Sequence, residues 1–549
     1  APDRTHGVLQ DRLRLRALAP SRALGDWARD KLQAMPEGLY EQVLHSLAGR
    51  TLPPPKPPRA SAAVVPWRRG PDGLEVYWVR RSSALAFMGG WYAFPGGGIS
   101  KDDSFIEVQG HAVGLAESDD APGLVAGTLR ELSEETGLLP GATDAGDALE
   151  EARRQLLAGT LKWRDLLSGL QSKPRADDLV YAGRWLTPAF GPLRFDNRFF
   201  LLEWPADRPT QPTIVPGELS FGEWIRPLEA LSRWRRGDVM AAPPVLYFLT
   251  VLAEDGPETG LQRLRDAADS YVGEFRRIEF RPGTLVFPLQ TLTLPPASTT
   301  NCILLGFGDA VLIDPGAVDA TENARLIAAL ADVHSRLGRR VTAIWLTHHH
   351  PDHIGGVQTI RQALSVPVLA HALTAERVAA DGIAVDALLA DNQQIELAGE
   401  TAAETMRIRV LHTPGHASGH LAFLDEARGT LIAGDLVSAL GTVVIDPPEG
   451  NMDDYLASLA RIRALSPHVL LPAHGSALID PEKTLRETID HRLQREHRVA
   501  AAWSSGLRDP AAMVDAVYDD TPDAARPLAE RQIRAHLERL EHQGLLEAS

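Results

Sequence analysis

A single cysteine, Cys302, occurs in 549 residues. No intramolecular disulfide can form, which excludes a disulfide-stapled secreted class and fits a reducing compartment. A zinc ribbon built on several thiolates is excluded too. Long apolar runs are also missing: the longest, near residues 245–253, is far too short to span a bilayer. Residues 1–16 alternate charged and apolar side chains without an apolar core, so they do not read as a signal peptide. A soluble, cytoplasmic protein with no membrane partner is expected, and the lack of a starting Met suggests a processed or trimmed chain. Positive charge is in deficit. Lys and Arg number 56 against 72 Asp and Glu, for a net charge of −16. The surface as a whole therefore does not favour polyanions or anionic membranes, although a local basic groove stays open.

At about 150 residues per domain, the length implies three or four units. Within residues 1–59, Ser21 could cap a helix carrying Leu24, Trp27, Ala28 and Leu32, and Pro53, Pro54, Pro55, Pro57 and Pro58 then make a stiff linker. A unit over 60–255 opens with strands at 63–66 and 74–79, joined by the turn Gly70-Pro71-Asp72-Gly73. A boundary falls in the charged amphipathic stretch 256–277. Residues 278–480 alternate strands and helices, with short buried strands at 310–313 and 343–346. Beyond Pro481 the texture is helical: Ile533, Leu537 and Leu540 share one face and Gly544 is a stop.

The richest motif is Thr347-His348-His349-His350-Pro351-Asp352-His353, directly after an apolar strand. Zinc needs several imidazole nitrogens and carboxylate oxygens to converge. A loop leaving a strand can turn His348 and His350 to one side while His349 points away, and Asp352 and His353 then face a second position. His416 in Thr413-Pro414-Gly415-His416, Asp435 after Gly434, and His474 in Pro472-Ala473-His474-Gly475 each end another strand-like run. Open α/β sheets place ligands at such ends. A histidine-rich surface loop would not recruit four separate segments. His412 and His420 read as loop or substrate-side residues.

Across residues 278–480 this pattern resembles the metallo-β-lactamase superfamily. The resemblance implies an αββα sandwich and two metal ions, zinc or alternatively manganese or iron. His348, His350 and His416 would hold one ion. Asp352, His353 and His474 would hold the second, with Asp435 bridging. Asp314, in Ile313-Asp314-Pro315-Gly316, would support the site from behind. Asp352 would be a ligand that could also orient the attacking water as a catalytic group. The main antibiotic-degrading subclass uses a cysteine ligand, whereas Asp435 here resembles the glyoxalase II, RNase Z and lactamase-like endoribonuclease branches. Residues 484–549 resemble the winged-helix tail of that last branch. There Arg492, Arg495 and Arg498 could meet phosphates, but a solvated helix face is the preferred reading.

A second motif is Arg130-Glu131-Leu132-Ser133-Glu134-Glu135-Thr136-Gly137-Leu138, downstream of Phe94-Pro95-Gly96-Gly97-Gly98. On a helix Glu131, Glu134 and Glu135 lie on one side, and such crowded carboxylates call for hard cations, Mg²⁺ or Mn²⁺. This resembles the Nudix box, and residues 60–255 resemble the peroxisomal acyl-CoA diphosphatase branch through Phe87-Met88, 194–200, Trp224-Ile225-Arg226-Pro227 and an insertion over 104–122. Where the box carries an early Glu, this chain offers Asp103. The resemblance implies an α/β/α Nudix fold in which Glu134 and Glu135 serve catalysis. The whole chain then reads as a multidomain α/β hydrolase pair: a lactamase-fold unit favouring a phosphodiester, including single-stranded RNA, over a thioester, fused to a Nudix unit acting on a nucleotide or CoA-type small molecule. The alternative is a glyoxalase II-like or acyl-CoA thioesterase with a non-catalytic Nudix module that binds nucleotide or RNA.

Overall fold

The structure, a computed structural model, describes residues 57–546 apart from 86–87, 117–122, 142–145, 170–172, 188–193, 209, 272–277, 295, 400, 403 and 520–525. The expected helix at Leu24 to Leu32, prolines 53–55 and Phe87 lie outside these residues. Among those described, no helix is long and apolar enough to cross a membrane.

The first unit is a seven-stranded mixed sheet covered on both faces. Strand Arg59–Gly70 turns at Gly70 and Gly73, as expected, and pairs antiparallel with Gly73–Arg81; its other edge runs parallel to Phe195–Glu203. It is buried on both faces because successive side chains point opposite ways. Ala62 and Val64 pack under the helix Leu124–Thr136 through Leu129 and Leu132. Ala63 and Val65 pack with Phe248, Leu249 and Leu252 of the helix Pro243–Glu254. The helix Leu261–Tyr271 lies against the same sheet, where Arg265 Nε donates to the Tyr181 carbonyl at 2.9 Å.

The second unit stacks two sheets. Seven strands between Ile278 and Leu388 form one, and Gln394–Leu397, Met406–His412, Leu421–Asp425, Thr430–Gly434 and Val469–Pro472 form the other. Alternation again sorts the layers. Ile303, Val311, Ile313 and Trp345 face Val410, Phe423, Ile432 and Leu471 between the sheets. Leu304, Leu312 and Ile344 face outward to the helix Ala320–Leu337, and Leu411, Leu424 and Leu431 to the helix Met452–Ala464. The result is the αββα order.

The two units share core. Trp91 and Met240 of the first join the inter-sheet cluster of the second. Arg281, 1% exposed, donates to the carbonyl of Gly237 at 2.7 Å, to Thr430 Oγ1 at 3.0 Å and to the carbonyl of Arg428. Burial pulls its pKa down to about 10. The tail packs helices Pro481–Ser504, Pro510–Val517 and Arg526–His542 around Val499, Met513, Val517, Ile533 and Leu540.

Candidate metal centre

Five chain segments deliver the centre, each leaving a strand at the same end of the two sheets. Asp314 follows Asp309–Ile313, and His348 and His350 follow Arg340–Trp345. Asp352 and His353 sit in the single turn Pro351–Ile354. His416, Asp435 and His474 follow Met406–His412, Thr430–Gly434 and Val469–Pro472. Three groups arise, each with donor atoms within 4.8 Å of one another: His348, His350 and His416; His348, His353 and Asp435; Asp352, His353 and His474. All seven expected ligand residues are therefore brought together.

Hydrogen bonds behind the rings aim their free nitrogens inward. His416 Nδ1 donates to the Val444 carbonyl at 2.6 Å, His474 Nδ1 to that of Thr299 at 3.0 Å, and His353 Nδ1 to Asp314 Oδ2 at 2.7 Å. A neutral imidazole has one proton, so each of these rings, once it has lost any second proton, presents an Nε2 lone pair to the centre. His348 Nε2 and His416 Nε2 both lie 2.9 Å from His350 Nδ1. Asp435 spans the groups, with Oδ2 3.4 Å from His416 Nε2 and Oδ1 3.3 Å from His474 Nε2.

The electrostatics divide the centre in two. Burial and the crowding of neighbouring imidazoles hold His348 and His350 well below the ordinary histidine range, so both are neutral. Burial also lowers His416. On the other side burial opposes charge on His353, yet Asp352, Asp314 and Asp435 outweigh it and push its pKa well up. Burial likewise opposes charge on His474, but Asp435 and Asp352 raise it to about 9. Burial would raise Asp435; His474 and His353 instead pull it well below the carboxylate range. Neutral nitrogens on one side and clustered carboxylates on the other are the donor chemistry of a pair of divalent cations. The buried His353 Nε2 and Asp435 Oδ1 make no hydrogen bond, so the residues fit such ions.

Three residues support the site in roles that the sequence reading did not assign, His420 having read as a loop or substrate-side residue. His420, fully buried, accepts the Asp435 amide N–H on Nε2 at 3.0 Å and pairs with Thr413 Oγ1 through Nδ1 at 2.8 Å. It positions Asp435, and burial lowers its pKa to about 3. Thr300 Oγ1 donates to Asp352 Oδ2 at 3.2 Å, and Thr347 Oγ1 to Asp314 Oδ2 at 2.5 Å. Position after a strand could have flagged Thr347; nothing local marks His420 or Thr300.

Residues 295–474 match the Metallo-beta-lactamase superfamily, and residues 510–548 match the Beta-lactamase associated winged helix domain. A Drosophila melanogaster protein named Beta-lactamase-like protein 2 homolog is 31% identical over 261 residues, 46% of this chain and 85% of that protein. This chain belongs to the metallo-β-lactamase superfamily. It is, with its relatives, a metal-dependent hydrolase. A hydroxyacylglutathione hydrolase of Cereibacter sphaeroides is 34% identical over 184 residues, 34% of this chain and 65% of that protein. A crystal structure of a NUDIX hydrolase from Alicyclobacillus acidocaldarius is 27% identical, covering 37% of this chain and 94% of that one at a TM-score of 0.33.

Outside the lactamase unit, Arg130 organises the acidic helix. It binds Asp103 through Nε–Oδ1 at 2.9 Å and Nη2–Oδ2 at 3.1 Å, Glu134 at 2.9 Å, Glu131 at 3.0 Å and the Gly98 carbonyl at 2.9 Å. Asp103, 2% exposed, therefore acts as a two-pronged partner for Arg130. Glu131, Glu134 and Glu135 are held by different partners. Glu131 and Glu134 share Arg130, whereas Glu135 Oε2 accepts the Gly96 N–H at 2.7 Å. Gly97 touches Glu131 so closely that a Cβ there would fall 2.5 Å from its carboxylate. Burial raises Glu131 to about 7 and Glu135 well above the usual range.

Two of the three tail arginines, Arg492 and Arg495, correct both expectations for them. Arg492 is 1% and Arg495 8% exposed, so neither is a solvated face nor a phosphate contact. Arg492 binds Gln532 and the Val443 carbonyl, Arg495 the Val517 carbonyl, and Arg498 pairs with Asp519. A long arginine on a helix covered by neighbouring elements turns its donors inward, to whatever acceptors those elements offer.

Proposed function

We propose that the lactamase-fold centre holds two transition-metal ions and hydrolyses an acyl thioester of a small carrier such as glutathione or CoA. His348, His350 and His416 would hold one ion, Asp352, His353 and His474 the other, with Asp435 between them. Bound ions supply Lewis acidity and make water acidic enough to attack near neutral pH. The observation that carries the reading is the inward convergence of these seven side chains, with the Nδ1 of His353, His416 and His474 each held from behind. Asp314 and the Val444 and Thr299 carbonyls orient the imidazoles, and Asp352 would also orient the attacking water. Similarity to a hydroxyacylglutathione hydrolase supports the thioester, and the burial of Arg492 and Arg495 takes away two of the three phosphate contacts considered for RNA. The winged-helix match favours a phosphodiester as the second reading.

For the first unit we propose a Nudix pyrophosphohydrolase acting on a nucleoside-diphosphate or CoA-type compound. Glu131, Glu134 and Glu135 would take Mg²⁺ or Mn²⁺, which relieves the cost of burying their charge. Support comes from the joining of the glycine strand to the helix through Gly96 and Glu135.

One panel tests both: S-acyl glutathione, acyl-CoA and single-stranded RNA, with each centre disabled in turn. His350→Ala should abolish thioester hydrolysis and spare release of a phosphorylated product from acyl-CoA. The Glu134→Gln/Glu135→Gln variant should do the reverse. RNA cleavage lost in His350→Ala, with no thioester turnover in the parent, would replace the first reading by the second. Unchanged pyrophosphate cleavage in the double variant would remove the Nudix reading.

A further inference from the structure

The tail of this chain reaches the metal centre through one irregular loop. Residues 441–446 belong to no helix or strand, so they lack a hydrogen-bond ladder of their own. The Val444 carbonyl of that loop nevertheless accepts the Nδ1–H of His416 at 2.6 Å. Its neighbours on both sides are held by the tail. Arg492 Nη2 donates to the Val443 carbonyl at 2.5 Å, and Gln532 Nε2 to that of Ile445 at 3.4 Å. Arg531 pairs with Asp446, Nε to Oδ1 at 2.5 Å and Nη2 to Oδ2 at 3.2 Å. Arg492 Nη1 also donates to Gln532 Oε1 at 2.8 Å, which locks two tail helices together beneath the loop.

A second contact reaches the same ligand from below. The Arg492 guanidinium lies 5.3 Å from the ring centre of Tyr455. Tyr455 backs Gly415 so tightly that a Cβ on Gly415 would fall 2.3 Å from the Tyr455 Cα. The Tyr455 hydroxyl donates to the Leu436 carbonyl at 2.9 Å, one residue beyond Asp435.

We propose that the C-terminal tail is a positioning device for the metal centre, in which Arg492, Gln532 and Arg531 hold residues 443–446 so that the Val444 carbonyl fixes the tautomer and ring plane of His416. Three residues from two tail helices thereby act on metal affinity without touching metal or substrate. The inference rests on the reading of His416 as a ligand. Loss of an outer partner of a metal-bound histidine typically weakens binding by about 10–100-fold.

The test uses the full chain and zinc affinities measured by competition with a chromogenic chelator, without substrate, alongside the visible spectrum of the cobalt-substituted protein. Arg531→Ala, Asp446→Ala and Arg492→Met should each weaken one of two zinc sites about tenfold or more and shift the cobalt spectrum. The double variant Arg531→Ala/Asp446→Ala should be no worse than either single, and Arg531→Lys should restore most of the affinity. Because Arg531 and Asp446 are partly exposed, at 25% and 29%, their variants keep the test decisive even where Arg492→Met fails to fold. Parental affinity at both sites in folded Arg531→Ala and Asp446→Ala, while His416→Ala loses one zinc, overturns the proposal. If His416→Ala itself keeps both ions, the ligand reading fails instead.

Discussion

Replacing Asp314 by Asn changes one oxygen to an amide and leaves shape almost intact, yet it sets three hydrogen bonds against one another. Asp314 Oδ1 accepts the Thr347 amide N–H at 2.8 Å; Oδ2 accepts Thr347 Oγ1 at 2.5 Å and His353 Nδ1–H at 2.7 Å. An asparagine has a single acceptor oxygen. With that oxygen toward His353, its NH₂ opposes the buried Thr347 N–H. With the amide flipped, its NH₂ takes the lone pair of His353 Nδ1, which drives the ring proton to Nε2 and covers the nitrogen aimed at the metal. Zinc binding must turn the flipped amide back, at a cost of about 1–3 kcal/mol for leaving the buried Thr347 N–H against an NH₂. A tenfold change in binding corresponds to about 1.4 kcal/mol, so zinc at the Asp352–His353–His474 position should weaken by about 5- to 150-fold. The other site should move little. Chelator competition reads the two affinities separately, and thermal unfolding of the metal-free variant checks the fold. Unchanged affinity at both sites in a folded Asp314→Asn protein would refute the claim that this carboxylate sets the His353 tautomer.

Purified without chelator, the protein should carry close to two transition-metal ions per chain by elemental analysis, and a preparation with none would remove the dinuclear centre. Arg281→Ala leaves the Gly237 and Arg428 carbonyls without their donor inside the core. At about 1–3 kcal/mol for each stranded group, the denaturant midpoint should fall by the equivalent of about 2–6 kcal/mol, in one transition reported equally by both units. A loss below about 1 kcal/mol would show that the shared core does not depend on this guanidinium.

Local pattern exposed much of the architecture because strand and helix periods are written into neighbouring residues. The alternation in Ala62, Ala63, Val64 and Val65 and the turn at Gly70–Gly73 need no distant partner to be read. Charge patterning misled where burial decided: Arg492 and Arg495 read as a solvated face because one helix does not reveal that two others cover it. His420 read as a loop or substrate-side residue, since its partner, the Asp435 amide, comes from another strand.

Residue type and order, read with the family resemblance, named the seven side chains that the structure brings together. Imidazoles and carboxylates stand at the ends of apolar strands, and an open sheet delivers strand ends to one rim. What only the tertiary structure decided is which nitrogen each ring presents. That choice depends on the carbonyls of Val444 and Thr299 and the carboxylate of Asp314, which lie far from their histidines along the chain or on another strand. A proton on an imidazole is placed by what sits behind the ring, and the packing of sheets, loop and tail put those partners there.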